Sequence, residues 1–144
     1  DLEGADLEGA DLEGADLEGA DLEIVDLRGT KNIPNYYVDL CHNDFIKTVN
    51  LLKQNGEVQY LKEALVAGNI DGIHLRGECA CLIGSIANFQ IKAIDDLCQY
   101  RYSYGLHNPA EQWFWQIRKE DTPQNSFFSK KAVEWCDELL NQKT

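Results

Sequence analysis

The hydrophobic and polar residues of this chain follow two different periods. In the first 30 residues a leucine recurs at every fifth position within the unit DLEGA, which occurs four times unchanged and twice with changes. An α-helix turns about 100° per residue, so a step of five scatters these leucines around its surface. A strand would send successive leucines to opposite faces. A period of five therefore indicates a chain that turns a corner once per unit, as a solenoid does.

The remainder of the chain has the apolar period of helices. Two short helices are predicted from apolar residues three and four positions apart: Phe45, Val49 and Leu52, then Val58, Leu61 and Leu65. The stretch ECACLIGSIANF predicts a buried central helix, and apolar residues from Ile91 to about Tyr102 continue a helical pattern. A last helix is predicted from Phe127 to Gln142, with these residues inward: Phe128, Ala132, Trp135, Cys136, Leu139 and Leu140. We expect a globule of about five helices.

The clearest helix start lies in the segment NPAEQWFWQIRK. Asn108 is a suitable N-cap, Pro109 suits the first helical position, and Glu111 has the spacing of a capping box. Three consecutive aromatic residues follow and span most of a helix circumference. Either Trp113 or Trp115 is therefore expected to face the surface or a neighbouring domain.

The N-terminal segment resembles the pentapeptide-repeat proteins, whose unit is close to A-(D/N)-L-x-x. Its central leucines are Leu2, Leu7, Leu12, Leu17, Leu22 and Leu27. The resemblance implies a right-handed quadrilateral β-helix of about one and a half coils, with leucine and alanine inside. We therefore predict an α+β fold class, with a short β-helix capped by a mostly helical domain. The predicted boundaries are residues 1–30 for the repeats, 31–40 for a linker or cap, and 41–144 for the helical domain.

The helical region is also similar to C-terminal regions that follow pentapeptide repeats in uncharacterised bacterial and phage proteins. The similarity lies in ECACLIGSIAN, NPAEQWFWQI, DTPQNS and AVEWCDEL, and it implies no activity. The chain begins at Asp1 within a repeat, so we expect the repeats to be the end of a longer array. A disordered acidic tail is the alternative for residues 1–30.

The charge of the chain is concentrated in the repeats. Residues 1–30 carry eleven acidic residues and one basic residue, a net of −10. Residues 31–144 carry fourteen and twelve, a net of −2, and together these give the formal charge of −12. The sequence has no basic patch, which argues against direct binding of nucleic acid.

The candidate chemistry in the sequence is sparse. Cys79 and Cys81, with His74 and His42, fall short of the four ligands and C-x2-C spacing typical of zinc sites. A Cys–His nucleophile pair with His107 has nothing in the sequence to orient the base. Buried reduced cysteines explain these residues more simply. We predict no catalytic, cofactor-binding or metal-binding residues.

The leading functional prediction is a non-enzymatic structural or protein-interaction module, a phage or virion component if the phage similarity holds. The partner is a protein or a second copy at the repeat end, with no nucleic acid or membrane, and the localisation is cytoplasmic or virion. The candidate interaction residues are Asp6, Glu8, Asp11, Glu13, Asp16, Glu18, Trp113 and Trp115.

Two alternatives stay open. Some pentapeptide-repeat proteins mimic DNA and bind type II topoisomerases, so the resemblance implies an acidic DNA-mimic inhibitor as one of them. The other is a cysteine- or metal-dependent enzyme in the helical domain.

Overall fold

The described part of the chain is built from helices. The structure is a computed structural model that describes residues 11, 26–73, 81–91 and 108–142. Its helices are α1 (Asn35–Leu52), α2 (Glu57–Ala67), α3 (Leu82–Gln90), α4 (Pro109–Trp115) and α5 (Phe127–Leu140). Helix α2 packs against α5, and α1 packs against α4. The first helix begins at Asn35, inside the segment predicted to be a linker.

Glycines set both ends of α2. Gly56 precedes the helix with φ of 94°, and Gly68 follows it with φ of 76°. Both values lie in the left-handed region, which glycine enters without steric cost. The N–H groups of Gly68 and Asn69 donate to the carbonyls of the last helical turn, which satisfies acceptors that the helix leaves open.

The central helix is shorter than the apolar pattern suggests. Helix α3 ends at Gln90, and Ile91 has a left-handed φ of 55°. The Ile91 side chain is 92% exposed. The predicted continuation is therefore wrong at Ile91, because this conformation turns the chain off the helix axis. The rest of that prediction, residues 92–102, lies outside the described residues.

An aromatic cluster around Trp113 forms the centre of the core. The Trp113 ring lies 4.6 Å from Phe128 and 5.0 Å from Trp135, measured between centroids. Its indole N–H donates to the Phe128 carbonyl at 3.0 Å. Phe45 of α1 stacks on Phe114 at 5.9 Å. The cluster joins α1, α4 and α5. The predicted last helix is confirmed from Phe127, but it ends at Leu140 instead of Gln142, and Leu140 is 40% exposed.

The loop after α2 lies directly on the backbone that follows α4. Gly72 N–H donates to the Ile117 carbonyl at 2.7 Å, and Glu120 N–H donates to the Gly68 carbonyl at 2.7 Å. A Cβ atom at Gly72 would lie 1.7 Å from the Phe114 carbonyl oxygen. Only glycine therefore allows this approach. The loop holds the C-terminal end of α4 in place, where the site described below lies.

The predicted α+β fold class with a quadrilateral β-helix is wrong. The described residues form five helices and no strand. An isolated parallel bridge pairs Asp11 with Lys31. The physical reason is visible at Leu27. This repeat leucine is buried against helices, where the prediction required stacked repeat coils to bury it. Residues 1–10 and 12–25 lie outside the described residues.

Candidate functional site

The last repeat unit is anchored in the helical core through Leu27. Its side chain is 0% exposed and belongs to the same apolar cluster as the helices. Its backbone N–H donates to Gln116 Oε1 at 2.7 Å, a buried hydrogen bond. The Gln116 side chain also donates from Nε2 to the Gln112 carbonyl at 3.3 Å. The buried Gln116 side-chain amide thus connects the repeat end to α4. Leaving the Leu27 N–H or the Gln116 oxygen without a hydrogen bond would lower the stability of the fold.

A tight turn follows Leu27. The Thr30 N–H and hydroxyl both donate to the Leu27 carbonyl, at 3.1 and 2.6 Å, and Gly29 has φ of 75°. Arg28 makes two side-chain hydrogen bonds to the Asp26 carboxylate, at 2.9 and 2.7 Å. The side-chain hydrogen bond from Arg28 lowers the pKa of Asp26 against the opposing effect of its partial burial. The turn therefore has its own ion pair.

One acidic residue of the earlier repeats is described, and it lies at this turn. Asp11 forms the parallel bridge with Lys31, and its Oδ1 accepts a hydrogen bond from Asn32 Nδ2 at 2.9 Å. Asp11 and Lys31 are 20 residues apart, which equals four repeat units. The repeat segment thus contacts the chain that leaves it.

We call the contact of residues 26–32 with the helices the junction. A cleft of about 430 Å³ opens beside it. Its lining includes Arg28, Thr30, Gln116, Asp121, Ser126 and Phe127. The Phe127 ring is 47% exposed, lies 6.0 Å from Trp113, and has the Lys131 ammonium 5.9 Å from its centroid. The cleft therefore offers one aromatic surface and groups of both charges, which suits side chains of a polypeptide better than a small apolar ligand.

Trp115 is the outward member of the aromatic triplet. Trp113 and Phe114 are fully buried, whereas Trp115 is half-buried and has the Arg118 guanidinium 4.3 Å above its ring. Partial burial lowers the pKa of Arg118, and the nearby Arg28 guanidinium lowers it further. The expectation that one of the tryptophans faces outward is confirmed for Trp115. Its neighbour Arg118 lies close enough to Arg28 of the repeat end for the two charges to interact.

The capping-box prediction at Glu111 is wrong, and the residue has another role. Its carboxylate is buried and accepts hydrogen bonds from the N–H groups of Leu82 and Ile83, at 3.2 and 3.0 Å. Glu111 thus caps the N-terminus of α3, where the unpaired amides and the helix dipole favour a negative charge. The Asn108 side chain makes no capping hydrogen bond to its own helix.

The described cysteines are buried free thiols: Cys41, Cys81 and Cys136. Burial raises the pKa of Cys81, and the neighbouring Glu111 carboxylate raises it further. Burial likewise raises the pKa of Cys41 and of Cys136 to about 12 each. These three thiols therefore stay protonated at neutral pH, which is unfavourable for a nucleophile.

His42 contacts helix α5. Its Nε2 lies 2.5 Å from Glu138 Oε2, and its ring stacks on Trp135 with centroids 5.3 Å apart. Across the ranges that the structure describes, no three His, Cys, Asp or Glu side chains are grouped as metal ligands. His74, Cys79 and His107 lie outside those ranges.

The predicted interaction residues differ in their exposure to solvent. Asp11 is exposed at the junction and Trp115 is half-buried, whereas Trp113 is at the centre of the core. The other five, Asp6, Glu8, Glu13, Asp16 and Glu18, lie outside the described residues. Sequence reasoning missed Gln116, which no local pattern distinguishes from a surface glutamine.

The comparison with protein families points to the N-terminal segment. The family model for pentapeptide repeats, described as eight copies, matches residues 1–31. Pentapeptide repeats suggest a structural or protein-interaction module. No curated protein and no solved structure matches the chain. Among the described helices, none is long and apolar enough to cross a membrane.

Proposed function

We propose that this protein is a non-enzymatic protein-interaction module whose helical domain anchors an acidic pentapeptide-repeat segment and positions it for a protein partner. The observation that carries the proposal is the burial of Leu27 in the helical core, with its N–H bonded to Gln116. A repeat segment joined by a flexible linker would not need this contact. The contact fixes the last repeat unit, at Leu27, against the helices.

The charge distribution indicates the chemistry of the partner. Residues 1–30 carry a net charge of −10, and the residues after them are nearly neutral. A partner with a basic surface is attracted to the repeats over roughly 8 Å at physiological salt. The cleft beside Leu27 then offers the exposed Phe127 ring to an apolar side chain of that partner. In a phage-encoded protein the partner would be a virion or host component.

A non-enzymatic role agrees with the state of the described thiols. The Cys81 thiol is held neutral by burial and by Glu111, and Cys41 and Cys136 are buried in the core. These groups contribute to packing, as small apolar side chains do. The proposal therefore places the function on the repeats and the junction.

The test compares two sets of charge-neutralised variants of the full chain. The first set changes four repeat glutamates to glutamine: Glu3, Glu8, Glu13 and Glu18. The matched control removes the same charge from exposed positions of the helical domain: Asp39→Asn, Glu63→Gln, Glu120→Gln and Glu134→Gln. Each immobilised protein is incubated with lysate of the source cells, and retained proteins are quantified across a salt titration.

We expect the wild type and the control to retain a common basic partner at low salt, and the repeat variant to lose it. Equal retention by all three proteins, with the same salt dependence, would contradict the proposal. Displacement of the partner by duplex DNA would instead favour the DNA-mimic alternative, because DNA would then compete for the same basic surface.

A further inference from the structure

The loop between α1 and α2 contains an asparagine followed by glycine. Asn55 is exposed, and Gly56 precedes α2 with φ of 94°. The Gly56 carbonyl accepts a hydrogen bond from Tyr60 N–H, whereas the Gly56 N–H donates none among the hydrogen bonds of the described residues. The backbone nitrogen after Asn55 is therefore free of a donor role, and its own residue carries no side chain. The nearest side chain is the Phe89 ring, which would lie 3.0 Å from a Cβ atom at Gly56.

This arrangement allows a known intramolecular reaction of asparagine. The Gly56 nitrogen gives up its proton to solvent and attacks the side-chain amide carbon of Asn55. An N–C bond forms, the C–NH2 bond breaks, and ammonia leaves, so that a five-membered succinimide ring closes. Water then opens the ring at either carbonyl and gives isoaspartate or aspartate. The net reaction consumes one water, releases one ammonia and transfers no electrons.

The same loop holds a buried carboxylate that connects three helices. Glu57 is buried, and its Oε2 accepts hydrogen bonds from Gln54 N–H at 2.8 Å and from Gln90 Nε2 at 2.5 Å. Gln90 Nε2 also donates to the Leu52 carbonyl at 2.8 Å. Burial alone would raise the pKa of Glu57, but hydrogen bonds from Gln90 and from backbone amides, including that of Asn55, lower it. The position of this carboxylate depends on the backbone path through residue 55.

We propose that Asn55 is a site of spontaneous conversion to isoaspartate and aspartate, and that isoaspartate there loosens the junction of α1, α2 and α3. Isoaspartate adds one carbon to the main chain between residues 55 and 56. The amides that hold Glu57 then shift relative to Gln90. Aspartate adds a charge at an exposed position and leaves the main chain unchanged, so its effect is smaller. This proposal is independent of the proposed function.

Asn69 provides an internal control for the reaction. It is exposed and lies in a loop, as Asn55 does, but the next residue is the buried, branched Ile70. The test incubates the full native chain at mildly alkaline pH and follows both peptides by mass spectrometry, with fragmentation that separates isoaspartate from aspartate. N55Q is the rate control, because glutamine would need a larger ring. Gly56 is left unchanged, because its positive φ would strain any substitute.

We expect progressive conversion of Asn55 while Asn69 keeps its amide and N55Q stays unmodified. The isoaspartate form, separated by ion exchange, should melt at a lower temperature than the wild type and than N55D. The assignment of Asn55 as the reactive site would be refuted if Asn55 and Asn69 convert equally. It would also be refuted if Asn55 converts in urea but not in the native chain. An isoaspartate form that melts with N55D would overturn the proposed effect on the helices.

Discussion

Replacing Leu27 with alanine tests whether the repeat end is part of the folded core. Leu27 is fully buried, and the change removes about three methylene equivalents, each contributing roughly 0.8 kcal/mol of transfer free energy. The cavity left behind adds to this, so Leu27→Ala should cost about 2–5 kcal/mol. That is a large part of the roughly 5–15 kcal/mol by which a domain is stable.

Leu40→Ala is the matched control for this substitution. Leu40 is 52% exposed on α1, so the same chemical change there should move the free energy of unfolding by no more than about 0.5 kcal/mol. Both variants are unfolded in denaturant and followed by the fluorescence of the buried tryptophans. Hydrogen exchange of the Leu27 amide is measured in parallel in the wild type and in a Gln116→Ala variant.

The exchange measurement covers the case in which the junction opens without unfolding of the helices. Local opening of this kind is common at the edges of domains. The Leu27 amide would then lose protection in Gln116→Ala, while the global transition stays in place. The reasoning is refuted if Leu27→Ala matches Leu40→Ala in stability and the Leu27 amide exchanges freely in the wild type.

Three further predictions concern packing, thiol chemistry and pH. Gly72→Ala should destabilise the fold by about 1–3 kcal/mol or more, because its Cβ would overlap the Phe114 carbonyl; thermal melting measures this. Native Cys136 should be alkylated far more slowly than in urea, since burial raises its pKa to about 12; timed labelling with peptide mass spectrometry checks this, and equal rates would contradict it. Asp26 has a pKa below its ordinary value of 3.8, so the stability it contributes through Arg28 is present above that pH and lost as pH falls through the lower folded value. The difference in melting temperature between wild type and D26N should therefore shrink on acidification, and a difference independent of pH would contradict this.

Local signals in the sequence were sufficient to place several helices. The glycines around α2 and the apolar spacing of α5 act within a few residues, so they can be read without knowledge of the fold. The end of α3 was misjudged, because apolar periodicity does not reveal that Ile91 takes a left-handed conformation. The width of a helix face predicts that one of Trp113 and Trp115 lies outward, and the structure shows that it is Trp115.

Two other errors concern contacts between residues distant in sequence. Glu111 has the spacing of a capping box, yet its carboxylate caps a different helix, 28 residues away. Leu27 has the pattern of a repeat leucine, yet the helices bury it, and Gln116 lies 89 residues further along the chain. A periodic pattern shows that a side chain needs burial, and it does not show which part of the chain provides that burial.

The contact between Asp11 and Asn32 has a consequence for alignment along the repeats. The units that contain Asp6, Asp11 and Asp16 are identical in sequence, so a slip of the chain by one unit would present the same carboxylate to Asn32. Identical units therefore specify a spacing of five residues without specifying a register. The last unit differs from these three in sequence, and its Leu27 is buried among the helices. Whole units inserted before Leu27 would therefore leave the burial of Leu27 in the helical core unchanged.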